Sequence, residues 1–263
     1  MEYVFQTPGR IYFIMQLVKG GELFKHLSEK KRLPENQAKF YAAQIALALG
    51  HLHNNKIIYR DVKPENILLD ETGYIYLTDF GMAKLLNDDQ TANSFCGTPE
   101  YLAPEVITGE GHNKAVDWWS LGILIYEMLV GIPPFYHQNQ KVMYEFIRIK
   151  SIIFPDAKYK IPISDECKDI INKLLVKDQK IRMGSKGDME EVIMHPFFKD
   201  IDFKKLYNKQ IEPPFVPKIA DISSLTPLPD AQSTREALAS SQISESKLKQ
   251  ILINQEKFKD FTS

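Results

Sequence analysis

The sequence predicts an α+β fold in which strands come first and helices dominate afterwards. Three observations carry this reading. Aromatic and β-branched runs flank a Pro8-Gly9 turn near the N-terminus, short β-rich pieces surround a Glu71-Thr72-Gly73 turn, and long helical stretches fill most of the remaining chain. A chain of 263 residues can bury a substantial core in one or two domains.

Tyr3-Val4-Phe5 and Ile11-Tyr12-Phe13-Ile14-Met15 read as the strands of a hairpin. Lys19-Gly20-Gly21 breaks that pattern, and residues 22–27 read as a short helix. Pro34 suits the first turn of a longer helix reaching about His53, where its missing N–H costs nothing. Phe40, Ala43, Ile45, Leu47, Leu49 and Leu52 cover most of that helix's circumference, which predicts burial. Residues 57–77 change to short strands, and residues 88–94 are polar and read as a mobile segment. Asp117 opens an apolar helix that ends at Gly131, before Pro133-Pro134. A further helix is expected over residues 140–149. Another, reaching Leu175, has Ser164 as N-cap and Asp165 and Glu166 in its first turn. After about Tyr207 the chain turns rich in Pro, Ser and Gln, and reads as a tail laid over the domain surface. Within that tail, residues 246–255 fit a short amphipathic helix, and a disordered segment is the equal alternative.

Composition narrows the class. Hydrophobic residues make up 44% and charged residues 25%, ordinary values for a soluble globular protein. A net charge of −1 excludes a broadly basic surface, so nucleic acid is not an expected partner. Two cysteines, Cys96 and Cys167, are too few for a disulfide framework and fit a reducing cytoplasm or nucleus. The most apolar run, residues 118–130, is too short to span a bilayer and carries Glu127, so no transmembrane segment is expected. The first residues lack a basic n-region and a cleavage site, so no signal peptide is expected either.

The chemistry concentrates in residues 57–81. Tyr59-Arg60-Asp61-Val62-Lys63-Pro64-Glu65-Asn66 sets an acid, a lysine and an amide within six positions, and Thr78-Asp79-Phe80-Gly81 adds a second acid after a short hairpin. Asp61 is placed to accept a hydroxyl proton, and Asn66 and Asp79 offer the hard oxygen ligands that Mg²⁺ prefers. Lys63 can reach the same phosphate oxygens, and Gly81 is expected to let the backbone turn sharply after Asp79. Phosphoryl transfer asks for such groups, because it needs positioning and charge neutralisation. Alone, the first motif also fits a solvated polar loop; the ordered series with Asp79-Phe80-Gly81 and Ala103-Pro104-Glu105 disfavours that reading.

Taken together, the motifs resemble those of eukaryotic Ser/Thr protein kinases of the AGC group. The likeness rests on Met15-Gln16-Leu17-Val18-Lys19-Gly20-Gly21-Glu22-Leu23, on residues 59–66 and 78–84, and on Phe95-Cys96-Gly97-Thr98-Pro99-Glu100-Tyr101 with Ala103-Pro104-Glu105. Asp117-Trp118-Trp119-Ser120-Leu121-Gly122 and His195-Pro196-Phe197-Phe198 match as well. The resemblance implies a kinase-like large helical lobe with a hinge and a residual β-hairpin of the small lobe. Residues 1–16 would be the small-lobe remnant and hinge start, 17–198 the large lobe, and 199–263 the C-terminal tail.

It also implies roles for matched positions. ATP and Mg²⁺ would be the cofactors. Met15 would be the gatekeeper, Gln16 and Val18 would face the adenine edge with Leu68 beneath, and Glu22 and Thr78 would join the nucleotide site. Thr98 would bond near Asp61 and Lys63, favouring Ser/Thr acceptors. Glu22, Glu65 and Glu127 would form an acidic subsite, so protein substrates with arginine upstream of the phosphoacceptor are expected. Ser94 falls where the group carries its activating phosphate, placed there by an upstream kinase, with Arg60 and Lys84 as its partners. Glu105 with Arg182 would be a buried ion pair, and Asp117 would anchor the catalytic-loop backbone. In the tail, Thr226 and Thr262 resemble the turn-motif and hydrophobic-motif phosphosites, the latter after Phe258 and Phe261. The tail favours the Akt, serum-regulated and S6-kinase branches, whereas residues 78–84 lean toward protein kinase A. His51 and His53, two apart on a helix, do not share a face, and a zinc site is not expected.

A complete kinase also needs a Gly-rich loop, an early strand lysine and a helix glutamate. No G-x-G-x-x-G occurs in these 263 residues, and only about one hairpin precedes Met15. The start is therefore expected to be internal to a longer parental chain, and this polypeptide alone to bind Mg·ATP weakly and show little activity. The rival reading is a non-catalytic, pseudokinase-like docking protein; intact Asp61, Lys63, Asn66 and Asp79 argue against it. A small-molecule phosphotransferase is disfavoured by Ala103-Pro104-Glu105.

Overall fold

The computed structural model describes residues 3–7, 10–86, 90–155 and 161–219. The chain divides into two units, residues 1–18 with 219–263, and residues 19–218. In the first, β1 (Tyr3–Thr7) pairs antiparallel with β2 (Arg10–Ile14), Tyr3 opposite Ile14, so the N-terminal hairpin is present. The tail positions Phe258, Phe261, Thr226 and Thr262, and the segment 246–255, lie outside the described residues.

The second unit opens with α1 (Leu23–Lys30), which runs three residues past its expected end, and α2 (Glu35–Asn54) after Pro34. Then come β3 (Ile57–Ile58), β4 (Ile67–Leu69), β5 (Ile75–Leu77) and β6 (Lys84–Leu85), with β3 paired to β6 and β4 to β5. The helices α3 (Pro104–Thr108), α4 (Ala115–Val130), α5 (Gln140–Ile149), α6 (Asp165–Leu174), α7 (Asp188–Ile193) and α8 (Phe203–Tyr207) complete it.

α4 is the centre of the core. It packs against α2 and α6, and Trp118, Trp119, Leu121, Ile123, Leu124, Ile125 and Met128 are fully buried. Each such side chain contributes roughly 1.5–3 kcal/mol by leaving water. Gly131 ends α4 at φ +93°, a conformation costly for any residue with a Cβ, and a Cβ there would stand 2.4 Å from Lys31 O. α2 is buried over most of its circumference, as its all-round apolar pattern predicts. Asn139 Oδ1 accepts from Lys141 N and Val142 N, and Ser164 Oγ accepts from Cys167 N, so α5 and α6 start where their caps lie.

Three expectations are corrected. α4 starts at Ala115 rather than Asp117, because Asn113 Oδ1 accepts from Ala115 N at 2.9 Å and extends the helix by half a turn. The polar segment before Ser94 is not free throughout: Ala92 is buried and exchanges both backbone hydrogen bonds with His112, at 2.8 and 2.9 Å. The sharp turn after Asp79 is made at Asp79 itself, with φ +56°, and not at Gly81; Gly81 instead leaves room, since a Cβ there would sit 3.0 Å from Asp79 Oδ1. After α8, residues 209–217 run across α1 and the β4–β5 hairpin. Tyr74 donates to Ile211 O, Lys209 pairs with Asp70 at 2.9 Å, and Lys30 lies over the Phe215 ring.

Candidate active site

The loop after β3 is held from below by α4. Tyr59 N and Arg60 N donate to Asp117 Oδ2 and Oδ1 at 2.8 and 2.7 Å. These bonds hold Arg60 at φ +68°, a left-handed conformation that costs a non-glycine residue about 1–3 kcal/mol and needs such support. Asp117 is itself bound to His53 Nε2 at 2.9 Å, and His53 Nδ1 reaches Asp188 Oδ1 at 2.8 Å. Burial works against the imidazolium, but the hydrogen bonds and charges of Asp117 and Asp188 prevail and raise the His53 pKa to about 9. Sequence reasoning saw no role for His53; its partners lie 64 and 135 residues away, beyond any spacing rule.

The loop then presents a compact cluster. Asp61 is 5% exposed, and its carboxylate receives Asn66 Nδ2 at 2.7 Å, Lys63 Nζ at 2.9 Å and Thr98 Oγ1 at 3.2 Å. Lys63 Nζ also donates to Thr98 Oγ1 at 3.1 Å. The single helical turn Pro64–Asn66, with Asn66 N bonded to Lys63 O, returns Asn66 to Asp61, whose carbonyl it also meets at 3.0 Å. Four of the five residues expected to act together are therefore joined around the Asp61 carboxylate, including Thr98 from a segment 37 residues away.

Asp79 is exposed, and its Oδ1 accepts from Gly81 N at 3.0 Å. Thr78 N and Oγ1 both donate to Asn66 O, at 2.9 and 3.2 Å, which ties the strand carrying Asp79 to the Asp61 loop. Tyr59 OH also donates to Thr78 O, and Phe80 packs edge-on against Tyr59. Among the described residues no group of three His, Cys, Asp or Glu side chains could hold a metal ion. Mg²⁺ does not need one, because it usually keeps several waters and takes one or two protein oxygens beside substrate phosphates. Asn66 gives its amide NH₂ to Asp61 twice, leaving Oδ1 as an acceptor, and Asp79 keeps Oδ2, so the donor set fits that ion.

Two neighbouring sites take shape. Arg60 Nη1 donates to Ser94 Oγ at 2.6 Å, and Arg60 Nε to Met82 O at 2.7 Å. Lys84 lies on β6, and His112, missed in the sequence, is buried nearby. Burial and the charges of Arg60 and Lys84 lower its pKa. On the other side, Glu127 is bonded by Tyr101 OH. Burial raises the Glu127 pKa to about 7; Tyr101 opposes this, while the charges of Glu65 and Glu100 add to it. Glu100 and Tyr101 were not singled out from sequence, although they stand next to Thr98. Glu22 lies elsewhere, exposed before α1 and bridged to Leu68 on β4. Met15, Gln16 and Val18 come after the hairpin in the first unit. Glu105 and Arg182 form the expected buried pair, two parallel hydrogen bonds of 2.7 and 2.8 Å.

Comparison with known proteins shows the family. Residues 1–198 match the family model described as a protein kinase domain. The chain is 49% identical over 233 residues to Protein kinase 2 of Dictyostelium discoideum, a match covering 87% of this chain and 47% of that protein. It is 46% identical over 242 residues to human Serine/threonine-protein kinase Sgk2, covering 92% of this chain and 64% of that one. It is also 46% identical over 250 residues to Serine/threonine-protein kinase gad8 of Schizosaccharomyces pombe, covering 94% and 42%. The chain thus spans about two-fifths to just under two-thirds of the length of these curated relatives.

Proposed function

Since this chain belongs to the protein kinase domain family, with AGC-group Ser/Thr kinases among its relatives, we propose that it forms the substrate-side part of an ATP- and Mg²⁺-dependent protein Ser/Thr kinase. The observation that carries the proposal is the closed contact of Asp61, Lys63, Asn66 and Thr98. Asp61 accepts the proton of the acceptor hydroxyl, and Asn66 and Thr98 hold its carboxylate in place. Lys63 supplies positive charge beside the transferred phosphoryl group. Mg²⁺ would be held by Asn66 Oδ1 and Asp79, where it neutralises phosphate charge.

Within the second unit, Glu22, Leu68 and Thr78 serve the nucleotide, Thr78 by fixing Asn66. Glu65 and Glu127, joined by Glu100, form an acidic face for arginine upstream of the acceptor residue, with Glu22 contributing from its own edge. A phosphate placed on Ser94 by an upstream kinase would pair with Arg60, already 2.6 Å from Ser94 Oγ, and with Lys84. Thr226 and Thr262 serve as tail phosphosites. Residues 1–16, 17–198 and 199–263 act as small-lobe remnant, large lobe and tail. The two cysteines, both free, support a reducing location in the cytoplasm or nucleus.

Tested alone, the 263-residue polypeptide should bind Mg·ATP weakly, because it contains no Gly-rich loop to cover the phosphates. Joined to a segment carrying such a loop and a strand lysine, it should phosphorylate an arginine-rich Ser/Thr peptide. Asp61→Asn should then lower kcat by about 10²–10⁴. Undiminished turnover in the Asp61→Asn protein would defeat the assignment.

A further inference from the structure

A cavity of about 410 Å³ opens on residues outside the Asp61 cluster. Ile57, Ile58 and Leu86 form an apolar wall, and Lys56, Asn113, Lys114 and Ser185 are among the polar residues that line the rest. That volume is within the range of small-molecule sites, and the lining is mainly polar with one apolar wall. One wall is also the end of a continuous chain of polar contacts. Lys114 Nζ pairs with Asp188 Oδ2 at 2.8 Å, Asp188 Oδ1 with His53 Nδ1 at 2.8 Å, and His53 Nε2 with Asp117 Oδ2 at 2.9 Å. Asp117 in turn holds Tyr59 N and Arg60 N, the two residues before Asp61. The inner members are well sealed: the His53 and Asp117 side chains are 0% exposed and that of Asp188 is 13% exposed. Lys114 is 40% exposed, so this chain of contacts meets solvent at the cavity.

The donors at the wall suit an anion. An ammonium has three N–H donors, and Asp188 takes one from Lys114. Asn113, also on the lining, spends its Oδ1 on Ala115 N, leaving its amide NH₂ for a ligand. Ile58 and Leu86 are already buried, whereas Ile57 is part-exposed, so an apolar body beside the charged head would cover Ile57, which a fully hydrated inorganic anion would not.

We propose that this cavity binds a small amphipathic carboxylate, its head on Lys114 and Asn113 and its apolar body against Ile57, and that occupancy reaches the catalytic loop through Asp188, His53 and Asp117. A ligand that draws Lys114 away from Asp188 changes the charge opposite His53, and His53 is a direct support of Asp117.

The test titrates naphthalene-2-carboxylate into the full 263-residue chain, with neutral naphthalene-2-carboxamide as control. Binding is tracked by saturation-transfer NMR and by the indole N–H resonances of Trp118 and Trp119. Trp118 Nε1 donates to Asp188 Oδ1 at 2.9 Å and so reports on the polar chain. The carboxylate is expected to bind about tenfold tighter than the carboxamide, Lys114→Met to weaken it about tenfold, and the Trp118 indole signal to shift on saturation. Lys56→Met, which leaves the links from Asp188 to Asp117 in place, is expected to weaken binding about threefold and serves if Lys114→Met fails to fold. Equal binding of the two probes, undiminished binding in both lysine variants, saturation without a Trp118 shift, or no binding at millimolar probe would each overturn the proposal.

Discussion

His53→Gln tests how the catalytic loop is held. The parent imidazole lies between Asp117 and Asp188 with its side chain fully buried. Its pKa rises from the ordinary 6.5 to about 9 because two hydrogen-bonded carboxylates outweigh burial. A folded-state pKa above the unfolded value means the stabilisation is fully present below pH 6.5 and is lost as pH climbs through 9. At 1.36 kcal/mol per unit, the rise corresponds to about 3 kcal/mol at low pH, of which about 2 kcal/mol should vanish between pH 7 and pH 9. Glutamine cannot carry the charge, so the variant should be destabilised by roughly 3 kcal/mol at pH 6 and lose this component of the pH slope. Urea unfolding of both proteins at pH 6, 7, 8 and 9 measures the difference. If the two stability curves run parallel from pH 7 to pH 9, His53 is not charged in the folded protein and the account of the loop's anchor is wrong.

Other consequences can be checked with similar means. Arg182→Met leaves Glu105 charged and buried, and should cost about 3–5 kcal/mol in chemical denaturation; adding Glu105→Gln should recover part of the loss. Gly131→Ala forces a Cβ toward Lys31 O at φ +93° and should cost about 1–3 kcal/mol, seen as a lower Tm. Glu127, with its pKa at about 7, carries full charge only above that value. The affinity of the chain for an arginine-rich peptide, read by fluorescence anisotropy, should therefore rise roughly three- to tenfold from pH 6 to pH 8, and Glu127→Gln should flatten the profile.

What the sequence determined by itself was local in origin. Aromatic and β-branched runs separated by a turn signal made the hairpin, Asn139 and Ser164 set the starts of α5 and α6, and all-round apolarity buried α2. The spacing of Asp61, Lys63 and Asn66 already placed an acid, a cation and an amide on one tight turn, because such short-range geometry is dictated by the backbone. Tertiary structure decided the rest. It brought Thr98 to Asp61, set Arg60 against Ser94, paired Ala92 with His112, and placed His53 between Asp117 and Asp188. The short helices α3, α7 and α8 belong here too, since a helix of five or six residues owes its stability to its neighbours. Contacts between residues tens to more than a hundred positions apart leave no periodic trace in the chain. They exist only once burial of α4 and its neighbours has brought those positions together.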